Sequence, residues 1–212
     1  MSKLESILEV YEGGRKLPVL EYYYTIQGEG FHAGKAVFFV RLSGCNVFCP
    51  WCDTKQSWVP HLEQLMEVQK IVEMAESFPA HSLLVTGGEP VLYNLSFLTE
   101  EAKRRGIKTF LETSGTGQIT GSWDWICVSP KKYLKPIDSS IERANELKFI
   151  IADEEDFEFA ESYVKKITND VYLFLQPEWS RRHEILPKIV EYVKQRPYWR
   201  ISLQIHKYMG IP

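Results

Sequence analysis

The sequence predicts an α/β fold in which a parallel sheet is flanked by helices. Short runs rich in β-branched and aromatic residues recur along the chain, and amphipathic segments with helical periodicity lie between many of them. Several of these runs are apolar at consecutive positions, as strands buried on both faces of a parallel sheet require. Alternating strands and helices are typical of folds whose functional residues collect at the carboxyl ends of the strands.

The elements are predicted in chain order from these patterns. The predicted strands are residues 19–25, 36–42, 82–86, 108–112, 125–129, 146–152, 171–176 and 200–205. The predicted helices are residues 62–75, 95–105, 154–167 and 183–195. The first helix has the clearest pattern, because its apolar residues fall near a period of 3.6. The sequence contains no repeat, low-complexity segment or linker, so residues 1–212 are predicted to form a single domain.

Composition excludes several classes of protein. The chain has 212 residues, 44% of them hydrophobic and 25% charged, as expected for a globular protein with a substantial core. The net charge of −3 provides no basic surface of the kind that binds nucleic acid. No apolar run approaches the roughly 20 residues that span a bilayer, and the N-terminal residues mix charges with apolar side chains, unlike a signal peptide. We expect a cytoplasmic protein with no nucleic-acid or membrane partner.

Three of the four cysteines lie close together in the segment GCNVFCPWCDT (44–54), directly after a predicted strand. Cys45, Cys49 and Cys52 have the spacing C-x3-C-x2-C, which lets thiolates converge on a soft metal centre. In a reducing compartment such a group favours metal binding or redox chemistry over disulfides. Three thiolates match a [4Fe–4S] cluster with one open iron, while a zinc site completed by a histidine remains an alternative. Cys127 is predicted to be buried in a strand.

This cysteine spacing, with Trp51 directly before the last cysteine, resembles the radical S-adenosylmethionine (SAM) enzymes. The segment TGGEP (86–90) at the end of a predicted strand resembles them too, and its glycines let backbone approach a ligand. The resemblance implies a partial, open TIM-like barrel of the radical SAM type, with a modified (β6/α3)-like core. It also implies that the three cysteines hold a [4Fe–4S] cluster, that SAM binds the open iron, and that Trp51 lies near the adenine rather than only packing the loop.

Further segments resemble one family of that superfamily, the 7-carboxy-7-deazaguanine synthases. They are TIQGEGFHAGKAVFFVRLSGC (25–45), CDT (52–54), ETSGT (112–116), SPK (129–131) and LQIHKYMGIP (203–212). The resemblance implies a carbon–nitrogen lyase that converts 6-carboxy-5,6,7,8-tetrahydropterin to 7-carboxy-7-deazaguanine with loss of ammonia. This reaction belongs to queuosine and 7-deazapurine biosynthesis, and so to a tRNA modification pathway. Magnesium, an electron donor such as flavodoxin or ferredoxin, and a homodimer are implied as well.

The resemblance assigns roles to individual residues. Thr54 corresponds to the Mg²⁺ ligand, although Asp53 is the stronger candidate by charge and a turn role for both is the alternative. The positions corresponding to substrate contacts are Ile26, Gln27, Gly28, Arg41, Thr86 and Pro212. The positions corresponding to SAM contacts are Gly88, Ser129, Pro130, Lys131, Gln176, Pro177, Glu178 and Trp179, with Trp51, Glu89 and Ser114 as further candidates. No catalytic side chain is implied, because the cluster and SAM generate the radical.

Elementary chemistry supports some of these roles. Arg41 offers a planar guanidinium that can bind the substrate carboxylate through two N–H groups, and its place just before the cysteines favours the site over a surface ion pair. Glu29 belongs to the same motif as Gln27 and Gly28, and no role beyond bracing the loop is assigned to it. His206 is as consistent with simple packing as with a direct role, and no role is assigned to the other histidines, His32, His61, His81 and His183.

Two other functions remain open from the sequence. A small radical SAM activase that installs a glycyl radical on a partner protein would need an open mouth, and would not need Arg41 together with the terminal HKYMGIP. A non-enzymatic Fe–S or zinc module would bind no SAM and would give no reason for GGEP after a strand. The chain also reads QIHK where the family often reads QTHK, which bears on the details of the substrate site.

Overall fold

The computed structural model describes residues 11–165, 167 and 170–212. In this part of the chain the strands form one sheet in the order β3-β1-β2-β4-β5-β6-β7-β8-β9. The strands are β1 (Lys16–Ile26), β2 (Ala36–Leu42), β3 (Leu65–Glu67), β4 (Ser82–Gly87), β5 (Lys108–Thr113), β6 (Trp125–Val128), β7 (Glu146–Ile151), β8 (Tyr172–Pro177) and β9 (Trp199–Ile201). Strand β1 pairs antiparallel with β2 and β3, and every other pair is parallel. The sheet ends at β3 and β9 and does not close, which confirms the open barrel.

Helices follow most of the parallel strands, and each predicted helical segment contains one. They are α1 (Val68–Glu76), α2 (Ser96–Arg104), α3 (Asp138–Glu142), α4 (Glu155–Val164), α5 (Arg182–Gln195) and α6 (Ile205–Met209). Short 3₁₀ turns lie at Glu12–Gly14, Lys55–Trp58, Leu62–Gln64, Pro90–Leu92 and Trp179–Arg181. None of the helices in the described residues is long and apolar enough to cross a membrane.

Two predicted elements differ from the structure. The predicted helix 62–75 begins as a 3₁₀ turn and the edge strand β3, and becomes α-helical only at Val68. Its apolar residues Leu65 and Met66 pair with β1, where backbone hydrogen bonds to an exposed sheet edge outweigh helical periodicity. The predicted strand 200–205 ends at Ile201, because the chain then turns toward the loop between β1 and β2.

The apolar core lies between one face of the sheet and the helices packed on it. Strand β7 illustrates how the two faces divide: Leu147 and Phe149 are buried in this core. Lys148 lies between them in sequence, so its side chain points to the opposite face. Ile71 of α1 and Ile185 of α5 are fully buried on the helical side. The opposite face is thereby left free to carry polar groups.

The loop that joins β1 to β2 covers part of this polar face. The backbone N–H of Phe31 donates to Glu146 at 2.9 Å, and the N–H of Gly30 donates to Ser202 at 2.9 Å. Gly30 has φ +64°, and a Cβ there would lie 2.2 Å from a Glu146 oxygen, so the close approach requires glycine. The loop therefore brings Gly30 and Phe31 to the polar face of the sheet at β7.

Candidate active site

A cavity of about 450 Å³ opens where the parallel strands end. Its size falls in the range of small-molecule sites. It is lined by every residue that the sequence assigned to the cluster, the substrate or SAM except Pro130. Thr54, the expected Mg²⁺ ligand, also lies outside the lining. Residues that are far apart in sequence, from Ile26 to Pro212, thus meet around one space.

The three clustered cysteines sit on a loop whose two ends are tied together. The N–H of Gly44 donates to the carbonyl of Ser57 at 2.7 Å, and the N–H of Cys45 donates to the carbonyl of Trp58 at 3.0 Å. A tight turn joins the second and third cysteines, since the N–H of Cys52 donates to the carbonyl of Cys49 at 3.0 Å. All three cysteines face the cavity from this one loop.

The donor set fits an iron–sulfur cluster held by three thiolates. Backbone N–H groups point at two of the sulfurs, from Val47 to Cys45 and from Thr54 to Cys52, both at 3.4 Å, and such donors stabilise thiolates. Burial raises the pKa of the Cys49 thiol to about 11 in the cluster-free chain, and metal binding would remove this proton. Within the described residues, no three His, Cys, Asp or Glu side chains converge on one ion-sized point. A [4Fe–4S] cluster instead binds each thiolate through a different iron.

The fourth cysteine takes no part in this loop. Cys127 lies in β6 with 2% of its surface exposed, which confirms the prediction that it is buried. Burial raises the pKa of its thiol well above the ordinary value, so it stays protonated and inert.

The GGEP turn packs directly against the cysteine loop. The N–H of Gly88 donates to the carbonyl of Leu42 at 2.9 Å, and the N–H of Glu89 donates to the carbonyl of Gly44 at 2.8 Å. A Cβ on Gly88 would lie 2.3 Å from the carbonyl oxygen of Gly44 and 2.6 Å from that of Ser57. Glycine is therefore required by contact between two protein loops, in addition to any ligand that lies against the turn.

Two of the further candidates for SAM contact are bonded to each other. The Glu89 carboxylate is 1% exposed and accepts hydrogen bonds from the hydroxyls of Thr113 and Ser114. The N–H of Ser114 donates to it at 2.8 Å and the N–H of Val91 at 3.2 Å. Glu89 thus joins the end of β4 to the end of β5, and this bracing occupies much of its capacity to accept hydrogen bonds.

The ends of β6 and β8 supply the other residues assigned to SAM. The Lys131 ammonium donates to Ser129 Oγ at 2.5 Å and lies 5.8 Å from the centre of the Trp51 ring. Burial lowers the pKa of Lys131, which is inward-facing rather than solvated. Gln176 is 1% exposed and its Oε1 accepts from Ser202, while Glu178 caps the turn that begins at Trp179. Each of these residues is therefore held in place by a hydrogen bond close to the end of its strand.

The expected substrate residues form the opposite wall. The Gln27 amide donates to Glu112 at 2.6 Å, and the carbonyl of Gly28 accepts from the N–H of Ile205 at 3.0 Å. A Cβ on Gly28 would lie 1.9 Å from the His206 ring, so this side chain packs directly on the Gly28 backbone. The carbonyl oxygen of Pro212 accepts from the Thr25 hydroxyl at 3.0 Å. Residues 25–28 and residues 205–212 therefore contribute to the same wall.

Arg41 and Thr54 have partners that the sequence did not suggest. The Arg41 Nε donates to Glu21 at 2.6 Å, so one edge of its guanidinium is already engaged. The Thr54 hydroxyl lies 3.3 Å from Asp53, whose other carboxylate oxygen accepts from Lys207 at 2.7 Å. Asp53 lines the cavity, but its charge is already paired.

A buried charge network lines this side of the cavity and was missed from the sequence. Lys148, with 3% of its side chain exposed, contacts Glu29 and lies 3.6 Å from Glu112. The amide of Gln204 donates to Glu29 at 2.8 Å. Burial alone would raise the pKa of Glu29, but Lys148 and these hydrogen bonds hold it at about 2. Glu29 therefore ties its loop to β7 and to Gln204, and a lysine inside an apolar strand was the available signal for the network.

The open α/β barrel and a three-cysteine loop at its strand ends define a protein of the radical SAM class. Residues 39–120 match the model of the radical SAM superfamily. The 7-carboxy-7-deazaguanine synthase of Flavobacterium psychrophilum is 47% identical over 95% of this chain and 95% of its own length, and that of Synechocystis is 41% identical over 92% and 93%. The crystal structure of QueE from Escherichia coli superposes with a TM-score of 0.80 at 27% identity, covering 92% of this chain and 96% of that one. The chain belongs to the 7-carboxy-7-deazaguanine synthase family.

Proposed function

We propose that this chain converts 6-carboxy-5,6,7,8-tetrahydropterin to 7-carboxy-7-deazaguanine with loss of ammonia, in the biosynthesis of queuosine and other 7-deazapurines. The observation that carries the proposal is one cavity that holds both the three-cysteine loop and Arg41. The relatives named as synthases of this product cover almost the whole chain, which supports the same reaction here. One sheet that runs through the described residues supports treating residues 1–212 as a single domain.

Cys45, Cys49 and Cys52 would hold a [4Fe–4S] cluster, and Gly88, Ser129, Lys131 and the segment 176–179 would surround SAM. Bound there, the two cofactors would supply the radical chemistry of the reaction. The chain's own residues fix the geometry. Arg41 binds the substrate carboxylate, while Gln27, Gly28, Thr86 and Pro212 orient the pterin. The loop that joins β1 to β2 and the C-terminal residues 205–212 exclude water from the cavity.

Three further features belong to the proposal on family resemblance. Thr54 would bind Mg²⁺, with Asp53 close enough to support it, since this hard cation takes oxygen ligands. Lys207 must then leave Asp53 or share it with the ion. An electron donor such as flavodoxin or ferredoxin would reduce the cluster, and the protein would act as a homodimer.

The test is anaerobic reconstitution with iron and sulfide, followed by reduction and addition of SAM and 6-carboxytetrahydropterin. We expect 7-carboxy-7-deazaguanine, detected by its mass. The product should disappear in Cys49→Ala and persist in Cys127→Ala, a matched control in which a buried cysteine outside the loop is replaced. Cleavage of SAM without this product would refute the substrate and favour an activase. Absence of SAM cleavage would indicate that the three cysteines form a structural metal site and do not support radical chemistry.

A further inference from the structure

We propose that Glu21 is a positioning residue for substrate binding, which holds the Arg41 guanidinium by its Nε–H so that the two terminal NH₂ groups bind the substrate carboxylate. The inference rests on the proposed function, because it concerns the carboxylate of that pterin. Glu21 does not appear in the cavity lining, whereas Arg41 does. Glu21 would therefore act through Arg41 and not by touching the substrate.

An irregularity in β1 brings these two residues together. Val19 pairs with Leu42, so regular antiparallel pairing would place Leu20 opposite Arg41. The register shifts after Val19, and Glu21 pairs with Arg41 instead. One extra residue in a strand moves its side chains to the other face and redirects them. The bulge thus replaces an apolar neighbour of Arg41 with a carboxylate.

The guanidinium interacts with Glu21, with the Phe39 ring and with the Tyr23 hydroxyl. The Arg41 Nε donates to Glu21 Oε1 at 2.6 Å, and the guanidinium carbon lies 5.0 Å from the centre of the Phe39 ring. Phe39 is itself stacked on Tyr23, with ring centroids 4.9 Å apart and planes 6° apart. An arginine that is already ordered loses less side-chain entropy when it binds its ligand. Glu21 should therefore strengthen binding without contacting the pterin.

The Glu21 contact also decides which edge of the guanidinium remains for the substrate. A carboxylate can approach arginine through Nε and one terminal nitrogen, or through both terminal nitrogens. With Nε engaged by Glu21, the approach through the terminal nitrogens is left, and the Tyr23 hydroxyl beside the guanidinium lines the same cavity. The negative charge of Glu21 repels the substrate carboxylate. The Glu21 side chain is 38% exposed and the Arg41 side chain 18% exposed, so water screens this repulsion more than it screens the short Glu21–Arg41 contact.

The test compares Glu21→Ala and Glu21→Gln in the reconstituted enzyme, with Glu67→Gln as a matched control. Glu67 lies on the edge strand, 56% exposed, in an ion pair with Lys16 at 3.4 Å. We expect Glu21→Ala to raise KM for the carboxylated pterin about tenfold, equivalent to about 1.4 kcal/mol, with a much smaller change in kcat. Glu21→Gln should stay near the wild type, because its amide oxygen still accepts from Nε. Glu67→Gln should be unchanged.

A double-mutant cycle with Arg41→Ala tests whether Glu21 acts through Arg41. In the Arg41→Ala background, Glu21→Ala should have no further effect on KM. Additive effects would overturn the inference, and so would an unchanged KM in Glu21→Ala or equal losses in Glu21→Ala and Glu21→Gln.

Direct binding separates this inference from the proposed function. The dissociation constant of 6-carboxypterin, a fluorescent compound with the same carboxylate, can be measured by titration even if no product forms. We expect Glu21→Ala to weaken its binding about tenfold, and to leave the binding of pterin without the carboxylate unchanged. Equal weakening for both compounds would show a structural effect and refute the positioning role. If the wild type binds 6-carboxypterin no more tightly than pterin, the role of Arg41 and Glu21 is wrong whatever the reaction.

Discussion

Replacement of Lys148 by methionine tests the buried charge network that lines the cavity. The Lys148 ammonium contacts Glu29 and lies 3.6 Å from Glu112, and 3% of the side chain is exposed. Methionine retains an unbranched apolar stem and removes the cation. The two carboxylates would then lose their buried lysine, and removing one partner of a buried pair typically costs about 3–5 kcal/mol.

The pKa of Glu29 gives a second estimate of how much Lys148 contributes to the free energy of unfolding. Burial alone would raise this pKa, but Lys148, helped by Gln204, holds it at about 2 against an ordinary value of 4.5. The gap between these values corresponds to about 3 kcal/mol. We therefore expect Lys148→Met to lower the free energy of unfolding by about 3 kcal/mol at pH 7.

The loss should depend on pH in a specific direction. As the pH falls from 4.5 toward 2, unfolded wild-type protein binds a proton at Glu29 that the native protein does not, so the wild type loses stability. In Lys148→Met, burial raises the native pKa of Glu29 above its unfolded value, so the native protein takes up the proton first. The difference in stability between the wild type and the variant should therefore shrink between pH 7 and pH 4.

Urea denaturation of the cluster-free protein, followed by tryptophan fluorescence, measures both quantities. Lys132→Met is the matched control, since Lys132 pairs with Asp156 at 2.8 Å with 32% of its side chain exposed, and such a pair contributes roughly 0–1 kcal/mol. A cost at Lys148 no larger than at Lys132, or a cost equal at pH 7 and pH 4, would refute the reasoning.

Three other substitutions have defined outcomes. Gly88→Ala places a Cβ 2.3 Å from the carbonyl oxygen of Gly44, so the reconstituted protein should retain less iron than the wild type; equal iron content would contradict the steric argument. Glu89→Gln presents an NH₂ group to donors that need an acceptor, including the Ser114 N–H at 2.8 Å, and should cost about 1–3 kcal/mol in urea denaturation. An unchanged midpoint would show that Glu89 does not brace the strand ends. Phe149→Ala empties a site that is 1% exposed and should cost about 3–5 kcal/mol, whereas a loss below about 1 kcal/mol would contradict the described core packing.

The parallel part of the sheet could be predicted from the sequence because strands buried on both faces leave a continuous apolar pattern. The direction of β1 could not, since nothing in VLEYYYT distinguishes an antiparallel strand from a parallel strand. The strand β3 was missed for a related reason. Leu65 and Met66 fit a helical period and an edge strand equally well, and only the neighbouring Lys16–Pro18 decides between them.

The candidate site was predicted where its residues form local motifs, as at the cysteine loop and GGEP. The network of Lys148, Glu29 and Glu112 was missed because its members come from separate strands and loops, and their meaning depends on being brought together. The structure also changes the explanation of why glycine is needed at position 88, because Gly88 packs on the cysteine loop. Similarly, the Arg41 guanidinium was predicted to be available to the substrate carboxylate, and the structure shows that its Nε is hydrogen-bonded to Glu21.

The wall in which Gly28 meets Ile205 and Thr25 meets Pro212 has a consequence for synthesis of the protein. A ribosome releases the chain from the N-terminus at about 5–20 residues per second. The cysteine loop and the GGEP turn therefore leave the ribosome before residues 205–212, which this wall of the cavity needs. The contact between Gly28 and Ile205 can therefore form only after residue 205 has been synthesised, so this wall of the cavity is completed later than the cysteine loop.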